Sequence, residues 1–169
     1  TDQDHRILVK TNSTTAGDHI FHLHLENGGG APYPLAARIG TDANPANTHN
    51  SSATINDTNW HHAGVTWDAD TDTVTIYLDG APVGTGSQVG STLRDATADK
   101  NVVIGDSEVS DPQRSWEGML DEIRLSSVAR SAAWFEASHN SQSDPGINET
   151  GSLVTSEEQI VVEGRVYAD

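Results

Sequence analysis

Four groups of side chains in this chain have types and spacings that bear on chemistry. His22 and His24 lie two apart in the run HIFHLHL, so in a strand both imidazoles share one face while Phe21, Leu23 and Leu25 take the other. Two imidazoles on one face could hold a transition metal. No third ligand is evident from spacing; His19, His49, His61 and His62 are the candidates, and a role as plain residues of a sheet face is the expectation. Asp68, Asp70 and Asp72 imitate the start of a calcium loop, but position six is Thr73 rather than Gly and position twelve is Asp79 rather than Glu. A solvated hairpin turn is expected there. Trp116 follows a polar stretch, Asp106 to Ser115, and Tyr33 lies between Pro32 and Pro34 beside Gly28-Gly29-Gly30; both are candidate ligand-binding aromatics, able to stack on a sugar face.

Catalysis is not expected. There is no Gly-x-Ser-x-Gly, no phosphate loop and no Ser/His/Asp constellation at telling spacing. No strand carries a Glu-x-Asp-x-x-Glu pattern of the kind that places paired carboxylates on one groove.

The elements that must carry these residues read as short strands. Trp60 to Trp67 and Thr73 to Asp79 alternate apolar and polar about the turn Asp68–Asp72, the period of a half-buried antiparallel pair. Asp79-Gly80 starts a further turn. Strands are also expected at 6–10, 19–25, 35–39, 101–105 and 118–126, with a short helical segment near 131–137. Residues 40–53 read as a polar loop and 84–92 as a Gly/Ser-rich connection. Asp144-Pro145-Gly146 is a strong breaker. Gln159 to Tyr167 regains the strand pattern.

Composition narrows the class. A chain of 169 residues is one domain's worth of core. The division expected is a body at 1–142, a polar linker at 143–158 and a separate strand at 159–169. The formal charge is −16, with 25 acidic residues against nine Lys and Arg, which disfavours nucleic acid as a partner. The abundance of Asp and the scarcity of Lys suggest a halophilic chain. No apolar run reaches the length of a membrane span. Cysteine is absent, so disulfides and thiolate sites are excluded. Asn-x-Ser/Thr triplets at Asn12, Asn50, Asn56 and Asn148 agree with an extracellular location. The chain opens on Thr1 with no signal peptide, which reads as a mature form or an excised segment.

Certain words recur in a familiar order: Trp60-His61-His62-Ala63, Ile76-Tyr77-Leu78-Asp79-Gly80, Val103-Ile104-Gly105, Gly118-x-Leu120-Asp121-Glu122-Ile123-Arg124-Leu125 and Val128-Ala129-Arg130-Ser131. Over roughly residues 6–142 their order and spacing resemble the laminin-G-like, concanavalin A-like jelly-roll family. The resemblance implies an all-β fold, a two-sheet antiparallel jelly-roll sandwich. It also implies a non-catalytic extracellular adhesion or carbohydrate-binding module of a cell-surface protein, with a glycan or a surface protein as partner. It further implies a structural calcium, with Asp121 as a metal ligand; Glu158 (or Glu157), just before the last strand, could supply a second. It puts Trp60, Trp67 and Trp134 in the core and gives His61-His62 a packing role.

The last strand is displaced. In the family a strand of this kind precedes the segment that resembles Arg6–Lys10, so the chain looks circularly permuted. Two readings follow. The tail closes its own sheet, or it enters a neighbour's sheet with Ile160, Val162 and Val166 as anchors, giving a head-to-tail filament of identical subunits.

Overall fold

The structure is a computed structural model that describes residues 4–11, 19–26, 32–94, 101–106 and 114–143, together with the backbone of 161–168. In chain order the elements are β1 (His5–Thr11), β2 (His19–Leu25), β3 (Tyr33–Ile39), β4 (Asn47–Ile55), β5 (His61–Asp68), β6 (Thr73–Leu78), β7 (Ala81–Ser87), β8 (Val102–Ile104), β9 (Gly118–Ser126), α1 (Ala132–Ser143) and β10 (Val161–Ala168). They form two five-stranded sheets, ordered β4-β3-β2-β1-β8 and β7-β6-β5-β10-β9. Every pairing is antiparallel. This is the all-β two-sheet sandwich expected from the alternating runs.

The core lies between the sheets. The first sheet contributes Leu8, Leu23, Leu25, Leu35, Ala37 and Ile39, and the second Ala63, Val65, Trp67, Val74, Ile76 and Leu78. Trp67 is buried and its indole N–H donates to the Gln88 carbonyl at 2.9 Å, so its polar end is satisfied. A smaller cluster covers the outer face of the second sheet. There Phe135 of α1 stacks on Tyr77 with ring centroids 3.9 Å apart. Ser131 caps α1, its hydroxyl accepting the Trp134 amide at 3.3 Å.

The structure corrects two element assignments. Residues 47–55 are strand rather than loop, and the Gly/Ser-rich stretch contains β7. β4 and β7 are the facing edges of the two sheets, and the glycines of β7 let them approach. A Cβ on Gly84 would lie 2.9 Å from the Ser51 Cα, and one on Gly86 would collide with the His49 ring. The turn joining β6 to β7 is Asp79-Gly80, with φ of 51° and 80°, the two-residue geometry that favours Asp-Gly in hairpins. The helix is longer than expected, reaching Ser143.

β10 sits inside the second sheet, between β5 and β9. Val162 stands in register with Val65 on one side and Leu125 on the other; Val166 stands with His61 and Leu120. β9 joins the sheet through β10 alone among the described strands. A bulge at Glu122 (φ 51°) shifts the β9–β10 register between Glu163 and Arg165.

Candidate functional site

The densest gathering of titratable groups lies on the outward face of the first sheet. β2 is buried on both sides. Its apolar residues enter the core, while His22 and His24 face outward, level with Val9 and Arg6 of β1 and with Arg38 and Ala36 of β3. The His19, His22 and His24 rings form a column, with centroid spacings of 4.8 and 4.0 Å. Each is at most 1% exposed.

Asp4, just before β1, reaches this column. Its Oδ2 lies 3.9 Å from His24 Nε2, 3.5 Å from Arg38 Nη2 and 3.7 Å from Arg114 Nη1. His24 Nε2 donates to Glu26 Oε2 at 2.8 Å, and Arg38 Nη2 is 3.7 Å from the same oxygen. Burial pushes the His22 imidazole well below its usual range, and the neighbouring imidazoles and the Arg6 and Arg38 guanidiniums push the same way. Burial lowers His24 too, more than its bond to Glu26 and the Asp4 charge raise it. The His24 bond in turn holds the Glu26 carboxyl below its usual value. Both His22 ring nitrogens and His24 Nδ1 are buried without a hydrogen-bond partner among the described residues.

A second constellation surrounds His61. Its Nδ1 bonds Asp79 Oδ2 at 2.8 Å and its Nε2 bonds Asp57 Oδ1 at 3.0 Å, while Asp79 Oδ1 accepts the His62 amide at 2.9 Å. The hydrogen bond to Asp79 is the main reason the His61 pKa rises to about 9, against a partial desolvation. Burial raises Asp79, but its bonds from the His61 ring and the His62 amide prevail and leave it lowered. This arrangement ties the start of β5 to the β6–β7 turn, which gives His61 the packing role expected of it. His62 is buried, with its ring 5.9 Å from that of Phe135.

A third feature is a polar cleft of about 290 Å³ at one end of the sandwich, lined by Thr41, Asp42, Ala43, Asn44, Pro45 and Arg94. Asp42 is held by the Ser91 and Thr92 amides at 2.9 and 3.2 Å and by the Ser91 hydroxyl at 2.8 Å.

The residues singled out from sequence are scattered. Asp121 is exposed on β9, and its Oδ1 accepts the Glu122 amide at 2.8 Å, bracing the bulge. The described residues group no three metal-ligating side chains around Asp121. Glu157, Glu158 and Ile160 lie outside the described residues, as do residues 27–31 before Tyr33 and 107–113 before Trp116. Tyr33 is half-buried, edge-on to His5 at 5.4 Å. Trp116 is half-buried against the main core rather than exposed, and Trp60 is the exposed tryptophan, at 38%. Trp60 immediately precedes β5, so it escapes the sandwich that encloses Trp67. Trp134 packs on Phe135 in the outer cluster instead of the main core. Asp68 accepts the Asp70 amide at 2.9 Å within the hairpin turn, whereas Asp72 accepts the amide of the distant Gly90 at 3.1 Å. Asn50 and Asn56 are exposed.

Comparison with known proteins gives a concordant family. No curated protein matches the chain. Among solved structures, the crystal structure of an S-layer domain-containing protein (residues 221–444) from Clostridium thermocellum ATCC 27405 is 22% identical with a TM-score of 0.42. The match covers 82% of this chain and 64% of that one. No helix among the described residues is long and apolar enough to cross a membrane. A profile of the concanavalin A-like lectin/glucanases superfamily, of laminin-G type, matches residues 1–135, and the chain belongs to that family.

Proposed function

We propose that this chain is a non-catalytic extracellular building block of a cell-surface structure, assembled head to tail by donation of its C-terminal strand. The observation that carries this reading is the interior position of β10. A strand lost from a sheet edge leaves one unpaired rim. Removing β10 would instead open an eight-residue slot with backbone donors and acceptors along both walls, β5 and β9. The slot is the same whether the strand comes from its own chain or from an identical neighbour. Seventeen residues, 144–160, separate α1 from β10, a reach of up to roughly 60 Å if extended. That span allows either route. In the neighbour's slot, Ile160, Val162 and Val166 are the anchors. Donation of this kind does not close on itself, so it builds a filament.

Size-exclusion chromatography with electron microscopy tests the reading. The full chain should form fibres that a variant lacking residues 157–169 does not. That truncated variant should bind an added peptide of residues 157–169. A clean monomer with no fibres at any concentration eliminates donation.

A second reading, adhesion through a glycan, is supported by the cleft beside Asp42 and Asn44, which offers carboxylate, amide and carbonyl groups in the loop that follows β3. Here Trp116→Ala would test the fold, because Trp116 packs on the core. Asn44→Ala is the sharper variant: glycan-array binding should fall with it, and silence across a broad array removes this reading. Calcium at Asp121 and Glu158 belongs to the same proposal. A melting temperature unchanged by EGTA dismisses the ion.

A further inference from the structure

We infer that Asp4, His22 and His24 form a binding site for a first-row transition-metal dication of zinc type, on the outward face of the first sheet. One ligating atom from each residue lies within 4.8 Å of the other two, and all three residues are buried. Tetrahedral ligands 2.0–2.1 Å from zinc stand roughly 3.3 Å apart, so the side chains must draw together by about 1.5 Å at most. Asp4 lies just outside β1, where side-chain rotation can supply that movement.

The independent observation is the unmet bonding of the imidazoles. A neutral imidazole offers one lone pair and one N–H, and in water both are used. His22 is 1% exposed with neither nitrogen bonded among the described residues, and the His24 Nδ1 is in the same condition. A metal ion takes up such a lone pair directly. The His24 bond to Glu26 is the contact that orients a ligating imidazole in metal sites, and it puts a second carboxylate at hand.

The charges facing the site decide which ion fits. Arg6 and Arg38 flank it from β1 and β3, and Arg114 reaches Asp4 from the segment before β9. Glu26 and Asp4 are the carboxylates opposite them, and His19 extends the imidazole column. Three guanidiniums against two carboxylates oppose a hard cation bound by charge alone. Calcium also wants six to eight oxygens. Zinc, nickel and copper gain from imidazole nitrogen itself, so they tolerate that field. Arg38 now holds both carboxylates while its Nε donates to Thr48 Oγ1 at 2.9 Å, and its partly exposed side chain must move off the carboxylates as the ion enters.

The test uses the full chain without an added histidine tag. After chelator treatment, zinc chloride is titrated by calorimetry into wild type, His22→Gln, Asp4→Asn and His61→Gln. Wild type should take up one zinc per chain and melt at a higher temperature when saturated. Asp4→Asn and His22→Gln should weaken binding by roughly tenfold or more, and His61→Gln should leave it unchanged. Cobalt(II) should give visible absorption bands of nitrogen and oxygen ligation in wild type and not in Asp4→Asn. Should His22→Gln fail to fold, Asp4→Asn with cobalt decides, because that change leaves the apolar core untouched. Absence of stoichiometric zinc uptake by wild type overturns the proposal. So does equal affinity in Asp4→Asn.

Discussion

At the scale of single residues, the His61 contacts make a pH prediction with a definite sign. The folded pKa of about 9 lies above the ordinary value of 6.5, because two carboxylates favour the imidazolium. The stabilisation is therefore complete below about pH 6.5 and is lost as pH rises through about 9. Solvent around the exposed Asp57 and the partly exposed Asp79 screens these bonds, so the effect is modest. The urea midpoint of wild type should fall between pH 6 and pH 9.5, and the corresponding fall in His61→Gln should be much smaller. Equal slopes in the two proteins would refute the assignment. His61 and Asp79 stand out in the sequence as words in a family pattern. Asp4 does not, because nothing local marks it. Only the β1–β2 register, which sets His5 opposite Leu25, brings Asp4 to His24 and Glu26. Ile7, Leu8 and Val9 are apolar in succession and the register shifts between Arg6 and Leu8, so alternation alone does not place Asp4 beside His24. The tryptophans mislead for a related reason. Burial of Trp60 or Trp116 depends on where a strand begins relative to the sandwich rim, and a family position fixes that only to within a residue.

At the scale of elements, period-two alternation located β1, β2, β5, β6, β9 and β10 within two residues of their observed bounds. It failed for β4 and β7. β4 reads Asn-Thr-His-Asn-Ser-Ser-Ala-Thr-Ile, polar on both faces until its last residues, and β7 carries two glycines. Both are edge strands whose burial comes from each other, so no apolar stripe announces them. Gly84 and Gly86 are there for proximity, since each leaves room for β4. Gly86→Val should consequently destabilise the fold by about 1–3 kcal/mol through overpacking against His49. Gly86→Ala should cost less, and both are measurable as shifts of the denaturant midpoint. An unchanged midpoint for the valine variant would mean that the two edges do not touch as described.

At the scale of the whole molecule, the charge of −16 on 169 residues sets the dependence on salt. Self-repulsion opposes the compact state, and its range shrinks from about 10 Å at 0.1 M salt to about 3 Å at 1 M. The melting temperature should rise by on the order of 5 °C between low and molar sodium chloride, equivalent to roughly 1–2 kcal/mol for a chain of this length. A flat profile would count against a halophilic origin. The sandwich as a class, and the odd place of its last strand, were legible from alternation and from the order of the family's words. The closure of that strand between β5 and β9 required coordinates, because alternation gives a strand's faces but not its neighbours.

That closure has a consequence for how the molecule is made. Residues 161–168 are synthesised after every other described element, yet they fill a place in the middle of a layer. A ribosome that has released only residues 1–143 holds a protein whose β9 has no described strand to pair with. Completion of that sheet must wait for a strand in this place, its own or a neighbour's, and the long-range pairing then required is the slow kind. Until then the wall of β5 stands open to any strand that can pair with it.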